Sequence, residues 1–260
     1  MTGKVYLIGA GPGAPDLITV RGAEILRCAD IVFHDALVHP DTLALAGNAE
    51  KIAVGKRCGQ RSTAQRFINK RLVDAARKYT VVVRLKGGDP MLFGRAQEEI
   101  DALKAAGVAF EVVPGVTAAL AASAELGISL TRRGVSRSVA FITPRVGENE
   151  PESEWIQSVL AADSAVLYMA AGQTAQIAAA LRAAGLPAST PVVVIENASL
   201  PGMRRIGTTL AKLAVAMSPG TVTGPALIML GEVFRQQGLV ALAAPNLDIE
   251  LLTVKRVHRS

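Results

Sequence analysis

The 260-residue chain is half apolar, only 19% charged and carries a net charge of +6, so it has ample material for a core and is not an intrinsically disordered segment. No apolar run approaches the roughly 20 residues of a spanning helix, and the N-terminus runs straight into a glycine loop without a cleavage site, so the expected address is the cytoplasm, with no membrane span. Cys28 and Cys58 lack C-x-x-C spacing and His34, His39 and His258 lack ligand spacing, which argues against a disulfide framework, a zinc ribbon or any metal site.

Val5 to Ile8 is a short apolar run ending at Gly9 and reads as a buried parallel strand entering a loop. Thr19 is a candidate N-cap, followed by Val20, Ala23, Leu26 and Ala29 at helical spacing, and Ile31 to Phe33 makes a second strand ending near Asp35. Val81 to Leu85 is a third strand-like run, closed by Lys86-Gly87-Gly88-Asp89-Pro90. A helix from about Arg95 to Ala106 and a strand from Phe110 to Val113 follow. This alternation predicts an α/β domain over residues 1–114 with a mostly parallel sheet. Past a seam at Pro114-Gly115, a helix near Ala118 to Leu126 and strands at Ser138 to Thr143, Ala165 to Met169, Val192 to Ile195 and Ala226 to Leu230 predict a second α/β domain, residues 115–240, with a mixed sheet. Residues 241–260 read as a solvated basic tail.

The positive charge is uneven. Lys51, Lys56, Arg57, Arg61, Arg66, Lys70 and Arg71 form a run with no acid among them, and Arg132, Arg133, Arg137 and Arg145 form another. A solvated face, a nucleic-acid surface and a site for a polyanionic small molecule all fit such runs. Aromatics make up only 4% of the chain, too few to supply base-stacking platforms, which argues against nucleic acid.

Gly9-Ala10-Gly11-Pro12-Gly13-Ala14 satisfies G-x-G-x-x-A after a strand, so a dinucleotide site must be weighed. That fingerprint needs a helix N-terminus directly behind the glycines to meet the pyrophosphate. Here Pro12 and Pro15 remove two N–H donors and the helical pattern starts only near Thr19. Such a loop suits a neutral or cationic ligand without phosphates, of which S-adenosylmethionine is one. Lys86-Gly87-Gly88-Asp89-Pro90 admits close backbone approach in the same way, although it is also good turn chemistry.

The motifs V-Y-L-I-G-A-G-P-G-A-P-D-L-I-T, I-V-F-H-D-A-L-V, V-V-R-L-K-G-G-D-P-M-L-F-G-R and V-V-P-G-V-T-A-A, in this order and spacing, closely resemble the tetrapyrrole methylase family. The resemblance spans about residues 4 to 235 and continues through L-Y-M-A near Met169, I-E-N-A-S near Ala198 and G-P-A from Gly224. Within the family, V-G-K-R-C-G-Q-R-S-T-A-Q-R-F-I-N (Val54 to Asn69) and L-T-R-R (Leu130 to Arg133) resemble the branch that C-methylates uroporphyrinogen III. Arg132, Ala96, Gln97 and Ala170 depart from the usual histidine, glycines and Y-M-G.

What the resemblance implies is specific. The fold would be two α/β domains with S-adenosylmethionine held in the cleft between them, in a homodimer. The reaction would methylate two pyrrole rings of uroporphyrinogen III to precorrin-2, which feeds sirohaem, cobalamin or haem d1, leaving S-adenosylhomocysteine. With no dehydrogenase or ferrochelatase domain ahead of Met1, the chain is expected to stop at precorrin-2. Cofactor contacts carry over to Pro12, Gly87, Gly88, Asp89, Leu92, Thr117, Ala118, Met169 and Ala198. Asp35 and Lys56 match a proton acceptor and donor, Arg95 a residue of the macrocycle site or the proton step, and Glu98 and Arg133 substrate contacts. Arginine's planar fork suits the eight carboxylates of the macrocycle, and glutamate can accept from pyrrole N–H groups. Neither metal, nucleic acid nor membrane is a partner in this reading. Two alternatives stay open: a relative acting on a later corrin precursor such as precorrin-4, and a non-catalytic S-adenosylmethionine-binding protein.

Overall fold

The computed structural model describes residues 3–54, 61–145 and 153–235. The chain divides into two compact units with the break after Ala118.

The first unit is a five-stranded sheet in the order β3-β2-β4-β1-β5, parallel throughout, from β1 (Lys4–Gly9), β2 (Ile31–His34), β3 (Glu50–Ala53), β4 (Val81–Lys86) and β5 (Ala109–Val113). Parallel strands need crossovers, here largely helical: α1 (Val20–Arg27), α2 (Pro40–Ala44), α3 (Arg61–Ala76) and α4 (Ala96–Ala105). Val5, Leu7, Phe33 and Val82 on one face pack against Ile68 and Leu72 of α3 and Ile100 and Leu103 of α4. Ile8, Val32, Val83 and Leu85 face the other way, against Leu26 of α1. Each such fully buried side chain contributes about 1.5–3 kcal/mol of transfer free energy.

The second unit has a mixed sheet, β6-β7-β10-β8-β9, from β6 (Val139–Ile142), β7 (Ser164–Leu167), β8 (Pro191–Glu196), β9 (Arg204–Thr209) and β10 (Ala226–Gly231). Only β6 and β7 run parallel; the other three pairings are antiparallel. Its helices are α5 (Ala118–Leu126), α6 (Trp155–Ala161), α7 (Thr174–Ala183) and α8 (Leu213–Ala216), and Val159, Ile177 and Leu181 bury against Leu167, Val194 and Ile228.

The sequence reading predicts one parallel and one mixed sheet, and both are present. It extends the strand after Ala165 to Met169, whereas β7 stops at Leu167 because Met169 takes a left-handed φ of 55° that no strand residue adopts. The last 25 residues, the basic tail among them, lie outside the described residues.

Candidate active site

The C-terminal ends of parallel strands are where α/β sheets carry ligands, and in the first unit three loops meet there. The two glycine loops that the sequence presents as separate motifs are hydrogen-bonded to each other: Gly88 N–H donates to the Gly11 carbonyl at 2.7 Å, and Ala10 N–H to the Lys86 carbonyl at 2.7 Å. Glycine is required at this junction, since a Cβ on Gly9 would lie 2.5 Å from the Cα of Gly115. Asp89 ties in the third loop, its carboxylate accepting from Gly115 N–H at 2.8 Å and from Met91 N–H at 2.8 Å. Its first task is therefore to shape the site.

Asp35 follows β2 and does similar work. One oxygen accepts from Leu37 N–H at 3.0 Å and the other from Gly87 N–H at 3.1 Å, so the carboxylate bridges the ends of β2 and β4. It is half-buried, and Pro12, Gly87, Gly88, Asp89 and Leu92 are likewise half-buried around these loops, with Thr117 buried and Ala118 opening α5. Lys56, the proposed proton donor, lies outside the described residues.

Arg95 is the N-cap of α4, in a left-handed conformation with φ of 57°. Its guanidinium grips Glu98 bidentately, at 2.6 and 2.7 Å, with both side chains close to half exposed. These two substrate candidates thus present one paired fork. Arg133 is exposed on the 131–136 turn of the second unit, which Arg132 and Ser136 close by backbone bonds. In the basic run, Arg71 is engaged within the protein, 5.6 Å from the Phe33 ring and 5.4 Å from the exposed Phe67 ring.

In the second unit, Met169 follows β7 and is 48% exposed, unusual for an apolar side chain that a core would otherwise claim. The neighbouring Tyr168 hydroxyl accepts from Ala119 N–H at 3.2 Å, fastening α5 to the end of β7. Ala198 follows β8 between Asn197 and Ser199, whose φ values are 53° and 68°. Among the described residues, every non-glycine with positive φ falls in a motif loop: Phe93, Arg95, Met169, Asn197 and Ser199. Such backbone costs of order 1–3 kcal/mol per residue and concentrates at functional sites.

Glu196, at the end of β8, was not singled out by the sequence reading, yet it organises this loop cluster. It is buried and accepts from Thr223 N–H at 2.7 Å, Gly224 N–H at 2.6 Å and Arg204 at 3.0 Å. Gly224 also borders a cavity of about 570 Å³ lined by Gln173, Thr174, Met217 and Pro219. Burial raises the Glu196 pKa, but the two N–H donors and Arg204 outweigh it and hold the carboxyl below its ordinary 4.5. A carboxylate whose folded pKa is depressed adds stability above the ordinary value and loses it as pH falls through the lowered one. Urea denaturation at successive acidic pH values should therefore show a shallower loss of stability in Glu196→Gln than in the original chain; identical slopes would show that Glu196 carries none of the dependence.

The donor set suits S-adenosylmethionine better than a dinucleotide. Behind Gly9–Ala14 comes a short 3-10 turn, Pro15–Leu17, and α1 begins only at Val20, with Thr19 Oγ1 capping Gly22 N–H at 3.1 Å. Among the described residues no α-helix therefore begins directly behind the glycines, where a pyrophosphate would need it. Around Gly88, φ is +69° and nothing lies within 4 Å of where a Cβ would stand, which leaves open space beside backbone carbonyls. Pro12, the Gly87–Asp89 backbone, Leu92 and Thr117 present small or neutral surface at these loops. Among the described residues no group of three or more His, Cys, Asp or Glu side chains could hold a metal ion.

The chain has relatives among known proteins and solved structures. It is 41% identical over 235 residues to the uroporphyrinogen-III C-methyltransferase of Pseudomonas aeruginosa, covering 90% of this chain and 96% of that protein. It is 41% identical over 232 residues to a siroheme synthase of a Psychrobacter species, covering 89% of this chain but only 48% of that protein. The chain thus spans about half the length of the siroheme synthases it matches. A uroporphyrin-III C-methyl transferase from Thermus thermophilus, solved with S-adenosylhomocysteine, superposes with a TM-score of 0.77 at 39% identity, covering 90% of this chain and 99% of that one. The family pattern of tetrapyrrole (corrin/porphyrin) methylases matches residues 4–214, and the chain belongs to that family.

Proposed function

We propose that the protein transfers methyl groups from S-adenosylmethionine to carbon atoms on two pyrrole rings of uroporphyrinogen III, giving precorrin-2. The observation that carries this reading is the 41% identity to the Pseudomonas aeruginosa enzyme over 96% of that enzyme's length. A homodimer and a cytoplasmic address belong to the same reading; among the described residues no helix is long and apolar enough to cross a membrane.

When bound, S-adenosylmethionine supplies a methyl group already activated by its sulfonium. The protein's tasks are then to align the pyrrole carbon with that methyl, to exclude water and to manage one proton per transfer. Pro12, Gly87, Gly88, Asp89, Leu92, Thr117, Ala118, Met169 and Ala198 are proposed as cofactor contacts. Asp35 accepts a proton that the ring releases as the new carbon–carbon bond forms and the methyl–sulfur bond breaks. Lys56 is the proton donor, and any proton it supplies is matched by a second one lost from the macrocycle, so that each transfer releases one. Arg95, Glu98 and Arg133 take the macrocycle, the arginines by its carboxylates.

Titration calorimetry with S-adenosylhomocysteine tests the cofactor assignment. Binding should be unchanged by a chelator and exceed that of NAD; binding that vanishes with chelator, or that favours NAD, would overturn it. The substrate assignment makes its own prediction. Arg133→Leu should raise the dissociation constant for uroporphyrinogen III by roughly 10- to 150-fold, the equivalent of about 1.5–3 kcal/mol for one charge-assisted bond. Arg95→Leu should cost less, because its guanidinium exchanges the Glu98 carboxylate for one on the substrate. Equilibrium binding under anaerobic conditions measures both, and unchanged affinity in the two variants would place the carboxylates elsewhere.

A further inference from the structure

The end of the branch-specific segment, Q-R-F-I-N from Gln65 to Asn69, has no part in the chemistry proposed above, and the structure supplies one. Gln65 and Asn69 lie four residues apart on α3, hence one above the other on the same face. Gln65 Nε2 donates to Asn69 Oδ1 at 3.0 Å and to the Glu99 carboxylate at 3.3 Å. Asn69 Nδ2 then donates to the backbone carbonyl of Glu98 at 3.0 Å. The amides form a directed relay in which each Gln65 and Asn69 group used has a defined role as donor or acceptor.

We infer that Gln65 and Asn69 are a positioning pair that holds the first turn of α4, by the Glu99 side chain and the Glu98 carbonyl, and thereby sets the direction in which the Arg95–Glu98 fork meets the substrate. This rests on the reading of Arg95 and Glu98 as substrate-facing residues. The turn needs such support. It begins at a left-handed, non-glycine N-cap whose own side chain makes no capping bond. A fork at the mouth of that turn swings with it, and an ångström of misplacement at a reacting centre can cost about 10²-fold in rate.

The test is Asn69→Leu, with Gln65→Met as a second variant. Glu99 keeps its bonds from Arg84 and Lys86 in both, so the buried charges stay paired and folding is preserved. Asn69→Leu should raise KM for uroporphyrinogen III about threefold, no more than loss of the fork itself, since mis-aiming a group forfeits at most what removing it forfeits. S-adenosylhomocysteine affinity should stay within about twofold, since the pair's hydrogen bonds run to Glu98 and Glu99 and not to a proposed cofactor contact. In an Arg95→Leu, Glu98→Ala background the same substitution should add nothing further to KM, because both arms of the fork being aimed are gone. An unchanged KM, a full additional effect in that background, or a parallel loss of S-adenosylhomocysteine affinity would each overturn the inference. If the original chain transfers no methyl to uroporphyrinogen III, the substrate reading falls and hydrogen exchange judges the pair alone. The Ala102 and Leu103 amides, which bond the Glu98 and Glu99 carbonyls within the helix, should then lose protection in Asn69→Leu, and undiminished protection would overturn it.

Discussion

Asp35→Asn should lower methyl transfer by about 10²–10⁴-fold, the range expected when a general acid or base is removed. The structure adds a second, smaller consequence. The Asp35 carboxylate accepts from both Leu37 N–H and Gly87 N–H, and asparagine keeps only one acceptor oxygen for these two donors. The single oxygen is best kept on the part-buried Gly87 N–H, while the exposed Leu37 N–H turns to water, at a cost of about 1 kcal/mol or less of local stability. S-adenosylhomocysteine affinity should accordingly fall by far less than the rate. Single-turnover transfer and calorimetry on the same preparation separate the two. A variant with near-normal turnover, or one whose rate and cofactor affinity fall in step, would show that Asp35 only shapes the loop.

The largest effect on stability is expected at Glu99. Arg84 and Lys86 sit on the face of the central strand β4 that turns toward α3 and α4, and both are almost wholly buried with Glu99 between them. Arg84 Nε reaches one Glu99 oxygen at 3.0 Å, and Lys86 Nζ reaches both at 3.1 Å. Glu99→Gln leaves two buried cations without a counter-charge and should cost about 3–5 kcal/mol. Replacing all three by apolar residues of similar volume should cost much less, because no charge is then stranded. Burial and the neighbouring Arg84 push the Lys86 pKa below its ordinary 10.5, against the pull of Glu99. A lysine depressed in this way holds its proton less firmly folded than unfolded, so its burden on stability relaxes as pH rises toward the ordinary value. That alkaline gain should be larger in Glu99→Gln. Urea denaturation from neutral pH up to the ordinary lysine value of 10.5 measures both effects. A loss near 0.5 kcal/mol, the usual size for an exposed site, would contradict the account.

Much of this architecture is legible in the sequence because local signals and tertiary structure agree. Thr19 caps α1 as its side chain predicts, and the delayed start of that helix, read from Pro12, Pro15 and the spacing of Val20 and Leu26, is what separates the loop from a phosphate site. The edge strands β3 and β9 were not legible. Glu-Lys-Ile-Ala is short and exposed at most positions, and Arg-Arg-Ile-Gly-Thr-Thr has no clean alternation, so pairing with a neighbour and not propensity makes each a strand. Helix α3 was hidden for a related reason. Its residues read as a basic run, and its role shows only when Gln65 and Asn69 meet α4. One overlooked signal lay in plain view: Arg84 and Lys86 interrupt the apolar run Val81–Lys86, and charges in a central parallel strand demand a buried partner. Glu99 and Glu196 were passed over because a glutamate in an amphipathic helix or at a strand end gives no hint that it is buried.

The most direct test of the central claim is anaerobic incubation of the purified chain with uroporphyrinogen III and S-adenosylmethionine carrying a tritiated methyl group, followed by mass analysis of the tetrapyrrole. The account predicts label on carbon, two methyl groups per macrocycle and S-adenosylhomocysteine released in equal amount to the methyl transferred, giving precorrin-2. Label transferred only to a later precursor such as precorrin-4, or S-adenosylmethionine bound tightly with no transfer to any tetrapyrrole, would contradict it.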